Sequence, residues 1–165
     1  MNDALRDEII AEIGAAFANV QRGATTLHEA DVIDHCGSER EQRAARARDT
    51  ERRWQDVPDA DMASNPSALS FLCPESFRYY IPAYMVWSLR HYRTSQPDSV
   101  IYALTPNTNK TKDKKKLAAF AMFSLQQREV IRRYLEFMVE HGDCHIDDTA
   151  ASLALESYWK NANGA

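Results

Sequence analysis

Residues 67–92 read SALSFLCPESFRYYIPAYMVWSLRHY, and this stretch decides the fold. Apolar or aromatic residues fall on nearly every face of a helix drawn through it, the pattern of a central helix packed on all sides. Pro74 suits the first turn of such a helix, where a missing N–H costs nothing. Pro82 falls where the helix should continue. It lacks an N–H and its ring meets the carbonyl of Arg78, so the sequence predicts a kink there or the start of a second helix. Glu75, Arg78 and Pro82 interrupt the apolar run, whereas a bilayer span needs roughly 20 largely uncharged residues. The block therefore reads as buried core and no membrane segment is expected.

On the N-terminal side, Leu5, Ile9, Ile13, Phe17 and Val20 recur every three or four residues, predicting an amphipathic helix over 3–21 that stops before Gly23. A shorter helix is expected from Leu27 to His35, with Thr26 as its cap and Gly37 at its end. Residues 38–55 hold six arginines and four acids around a thin apolar stripe of Ala44, Ala47 and Trp54. They read as a largely exposed helix pinned by Trp54. The stretch 57–67 reads as a loop.

On the C-terminal side, residues 98–104 are short and apolar; with no evident strand partner, a helix is favoured. NTNKTKDKKK, residues 107–116, reads as a basic loop. Ser124 and Gln127 form a capping box that opens a helix with the stripe Ile131, Tyr134, Leu135 and Met138, ended by Gly142. Asp147 or Asp148 caps a last helix carrying Leu155, Tyr158 and Trp159. The expected architecture is an all-α bundle of six to seven helices around a Pro-kinked centre. It forms one domain over 1–165, with 1–56 amphipathic and Arg-rich and 68–160 holding the core helices. Only 5 Gly and 6 Pro in 165 residues leave little turn punctuation for a β-rich alternative.

The core block, then DSVIYALTP, FSLQQREVIRRYLEFM and ALESYW, in that order, resemble a family of small, mostly bacterial proteins known only as a domain of unknown function. The family pattern is F-L-S-P-E-x-F-R-Y-Y-L-P-A-Y-L followed by Q-R-x-A-I-x-x-F-L, and the similarity spans about residues 54–159. Cys73 stands where the family has Ser or Thr, which weakens a helix cap; Val130 replaces a small residue. The resemblance implies a shared fold and supplies no reaction.

Chemical signatures are sparse. The sequence holds no phosphate-binding glycine loop, no G-x-S-x-G elbow and no H-E-x-x-H, and no histidine follows a Glu by three residues. This lowers the case for an enzyme, and no catalytic residue, metal or cofactor is assigned. Among metal candidates, His141, Cys144 and His145 with Asp143 and Asp147 carry competent ligands, yet Gly142 breaks the helix that would align them. His28, His35 and Cys36 make a weaker cluster. The pairs Glu8/Glu12 and Glu136/Glu140 read as solvated rather than catalytic. Five lysines over 110–116 could meet phosphates, but no aromatic platform accompanies them and the net charge is -4, so nucleic acid is disfavoured. Three cysteines without C-x-x-C spacing and an acidic start point to the cytoplasm.

Tyr, Trp and Arg are the residue types enriched at binding hot spots. A partner-binding surface is therefore expected at Arg78, Tyr79, Tyr80, Tyr84 and Trp54, making the chain a non-enzymatic protein-interaction domain, of the kind that neutralises a toxin. One alternative is a ligand-binding or enzymatic pocket near Pro82. Another is nucleic-acid association through the lysine loop.

Overall fold

The centre of the molecule is the helix built by PESFRYYIPAYMVWSLR. In the computed structural model, which describes residues 2–93, 98–107, 114–142 and 146–161, Pro74–Arg90 is one continuous helix with thirteen of its 17 residues buried. It is α5 of nine α-helices among the described residues: α1 (Asn2–Ala16), α2 (Leu27–Asp34), α3 (Glu39–Arg46), α4 (Asp59–Ser64), α6 (Asp98–Leu104), α7 (Lys114–Ala121), α8 (Leu125–His141) and α9 (Asp148–Ser157) complete the set. Short 3-10 turns cover Trp54–Asp56, Ala68–Ser70 and Trp159–Asn161, and the described residues contain no strand. The all-α expectation is met, with more and shorter helices than foreseen.

α5 does not restart at Pro82, and the structure does not show the expected kink. An interior proline costs about 3 kcal/mol. Here Tyr80, Ile81, Ala83 and Tyr84 are all buried around it, and burying a large apolar side chain returns roughly 1.5–3 kcal/mol each. Packing therefore outweighs the lost hydrogen bond.

α1 lies against both α5 and α8, burying Ile9, Ile13 and Phe17 of its predicted stripe. α8 opens with the predicted capping box, in which Ser124 Oγ accepts from Gln127 N–H, and its stripe Ile131, Tyr134, Leu135 and Met138 is fully buried. α9 packs on α8 and α6, and Trp159 closes that end, its indole N–H donating to the Leu104 carbonyl at 2.8 Å. One hydrophobic cluster runs from Ile9 to Trp159.

Several boundaries differ from expectation. α1 ends at Ala16, five residues early. The Arg-rich helix, capped by Ser38, ends at Arg46 instead of continuing to Gln55. Asp49 is buried against His28, an attachment that draws the chain out of the helix. The expected loop 57–67 contains α4, which buries Met62. Lys114–Lys116 start α7 rather than extending a loop.

Candidate functional site

The aromatic residues singled out above point inward. Tyr79, Tyr80 and Tyr84 are 0 % exposed and Trp54 is 4 %, so they do not form an accessible surface in this fold. The reason is that neighbouring elements cover α5 at both tyrosine positions, leaving no outer face for Tyr79 and Tyr80. Their polar atoms find internal partners: Tyr80 donates to Glu51 Oε1 at 2.9 Å, Tyr84 to the Asn65 carbonyl at 2.6 Å, and Trp54 to the Phe17 carbonyl at 2.9 Å. The Tyr79 hydroxyl is buried with no hydrogen-bond partner among the described residues, and burial first, then nearby Glu51, pushes its pKa up to about 12. Burial likewise raises Tyr80 and Tyr84. Of the five, Arg78 alone reaches the surface in part.

Around these tyrosines lies a polar network that ties the N-terminal third to α5. Arg22 Nη1 donates to the carbonyls of Asp49 at 2.8 Å and Glu51 at 3.3 Å, and meets Glu51 Oε1 at 3.3 Å. The Asp49 carboxylate accepts from His28 N–H at 3.0 Å and pairs with His28 Nδ1 at 2.6 Å. Glu29 accepts from Arg46 Nε at 3.0 Å. These charges are mutually satisfied and hold loops in place, so we assign them a structural role.

The ends of α1, α5 and α8 meet around an open cleft of about 600 Å³. Its walls include Arg22, Glu75, Arg78, Gln126 and Gln127. Gly23 lets the chain run tightly against the start of α5: a Cβ there would lie 2.6 Å from Ser76 Oγ and 2.7 Å from Ser76 N. Gln127, 3 % exposed, cross-links all three helices. Its amide donates to the Ala16 carbonyl at 3.0 Å, while its oxygen accepts from Arg78 Nε at 3.0 Å and Ser124 N–H at 3.1 Å. The sequence marks Gln127 only as a capping residue; its contacts to α1 and α5 are tertiary and left no sequence signal. Arg22 and Glu75 were missed for the same reason.

A second feature is a groove of about 160 Å³ where α5, α6 and α7 meet, lined by Leu69, Leu72, Phe77, Ala103 and Ala119 together with Ser70, Asn107, Lys115 and Lys116. Lys116 Nζ donates to the carbonyls of Tyr102 at 3.1 Å and Thr105 at 2.8 Å, capping the end of α6. Lys114 and Lys115 are exposed in the first turn of α7 and pair with no carboxylate among the described residues. Cations at that end oppose the helix dipole. Leu117 on α7 and Tyr102 on α6 are also exposed, but neither lines the groove.

The remaining sequence candidates separate. Glu8 and Glu12 both grip Arg133, and Glu136 pairs with Arg132, as surface ion pairs. His28 is engaged by Asp49, whereas His35 is exposed. Residues 143–145 of the proposed His/Cys cluster, and Lys110 and Lys112 of the lysine loop, lie outside the described residues. No metal-binding group of three or more His, Cys, Asp or Glu occurs among the described ones. No described helix is long and apolar enough to cross a membrane.

The family pattern quoted above maps onto α5 and α8, the two helices that carry the core and the cleft. The profile of a family of unknown function, DUF6714, matches residues 5–163. The chain belongs to this family. The DUF6714 match extends the resemblance, read over about 54–159, to α1, α2 and α3, whose sequences carry no pattern as specific as that of α5. No curated protein and no solved structure matches the chain.

Proposed function

We propose that this DUF6714 chain is a non-enzymatic protein-interaction domain working in the cytoplasm, with the α5–α6–α7 groove as its docking face. What carries the reading is the pair Lys114 and Lys115, exposed at the positive end of α7 with no carboxylate partner among the described residues, beside a groove of mixed polar and apolar lining. Each such cation costs roughly 0.3–1 kcal/mol against the helix dipole, a cost that an acidic partner removes. The net charge of -4 alone would favour a basic partner. Screening over about 8 Å at physiological salt makes the local charge of the docking face decide instead. The partner is therefore a protein presenting apolar side chains flanked by Asp or Glu. Neutralisation of a toxin by covering its working surface is one form this binding takes.

Affinity capture from native lysate tests the reading. The wild-type chain should retain a partner that the double variant Lys114→Glu/Lys115→Glu releases, with retention weakening as salt rises. For a toxin, adding this chain should suppress the captured partner's activity. A lone monomer under gentle conditions, or capture indifferent to these substitutions, would overturn the proposal.

A further inference from the structure

We infer that the cleft where α1, α5 and α8 converge is a binding site for a small oxyanion, a carboxylate or phosphate, with Arg78 as its principal contact. The site is separate from the docking groove and stands or falls without it.

Three observations lead there. First, Arg78 lines the cleft and is only half-buried, and just one of its donors is used within the protein. Nε donates to Gln127 Oε1, and both terminal nitrogens have no partner among the described residues. A guanidinium held by Nε, with its terminal fork open, is arranged to take two oxygens of one carboxylate or phosphate. Second, the holder is rigid. Gln127 is buried and has both ends of its amide engaged, so the orientation of Arg78 is set before a ligand arrives. Preorganisation of that kind reduces the entropy lost on binding. Third, the surrounding field favours an anion. Arg22 lines the same cleft, although part of its charge is shared with Glu51. The start of the 17-residue α8 also opens there, and Gln126 on its first turn is part of the wall. Ser124 Oγ already accepts from Gln127 N–H, so what α8 adds is chiefly the positive potential of its dipole.

Glu75 is the opposing group, a carboxylate in the wall of the cleft. With Arg22 paired to Glu51 and Glu75 opposing, the charge available to a ligand is that of Arg78, which suits a small anion better than a polyanion. The roughly 600 Å³ of open space accepts a metabolite-sized molecule.

Isothermal titration calorimetry on the full chain, with sodium phosphate and sodium malonate as probes at constant ionic strength, tests the site. Saturable one-to-one binding of at least one probe is expected; the preferred probe distinguishes a phosphate ligand from a carboxylate one. Arg78→Gln should weaken it about tenfold or more, the loss of a charge-assisted contact. Because Arg78→Gln also loses its bond to Gln127, the exposed Glu75→Gln supplies an independent arm. It removes the repelling carboxylate and should tighten binding about threefold. The inference is overturned if neither probe binds saturably, or if binding is unchanged in both variants.

Discussion

Gln127→Leu separates what a capping residue does from what a tertiary cross-link does. Leucine nearly matches glutamine in volume, so the substitution leaves little cavity and reports on polar contacts. A capping box alone predicts a loss of about 1 kcal/mol. The structure predicts more. The Ala16 carbonyl loses the Gln127 amide, Arg78 Nε loses its acceptor, and Ser124 N–H loses its own, three contacts at 3.0–3.1 Å. A hydrogen bond contributes about 1 kcal/mol net, and a partner stranded in a buried site costs about 1–3 kcal/mol. With part of the loss offset by water reaching the cleft, we expect destabilisation of about 3 kcal/mol. In urea, with a slope of about 2 kcal/mol per molar, the midpoint should fall by about 1.5 M. Gln126→Leu, on the exposed neighbouring position, should change stability by less than about 0.5 kcal/mol. A Gln127→Leu loss near 1 kcal/mol would refute the cross-linking role and return Gln127 to a local cap.

Cys73 is the N-cap of α5 and makes no side-chain capping bond, so Cys73→Ser should stabilise the protein by about 0.5–1 kcal/mol, read as a rise in Tm of about 1–4 °C. Gly23→Ala should destabilise by about 1–3 kcal/mol in the same assay, since its Cβ would meet Ser76 Oγ and Glu75 Cβ at 2.6 and 2.7 Å. Stability should also fall at alkaline pH. Burial raises the folded-state pKa of Tyr79 to about 12, and lifts Tyr80, Tyr84 and Tyr134 as well, above the usual value near 10. The folded state then keeps protons that the unfolded chain releases, so stability is intact below about pH 10 and is lost as pH rises through about 12. Tyrosinate absorbance beyond that of the solvent-accessible tyrosines should therefore appear together with loss of helical circular dichroism; ionisation of Tyr79, Tyr80, Tyr84 and Tyr134 while the helices persist would contradict their burial.

Hydrophobic periodicity and capping residues determined the helical class, the central position of residues 74–90, the stripes of α1 and α8 and the capped starts at Thr26, Ser124 and Asp147. Those features depend on neighbours within a turn or two, and residues three and four apart meet on one face whatever the rest of the chain does. Tertiary structure decided three other things. Pro82 stayed inside α5 because surrounding residues buried it. The tyrosines Tyr79, Tyr80 and Tyr84 are buried because neighbouring elements cover the faces of α5 that carry them. Arg22, Glu75, Arg78 and Gln127 came to share one cleft although they span about a hundred positions of the chain. Proximity of that kind arises only when packed helices bring distant segments together, and no local pattern of side chains encodes it.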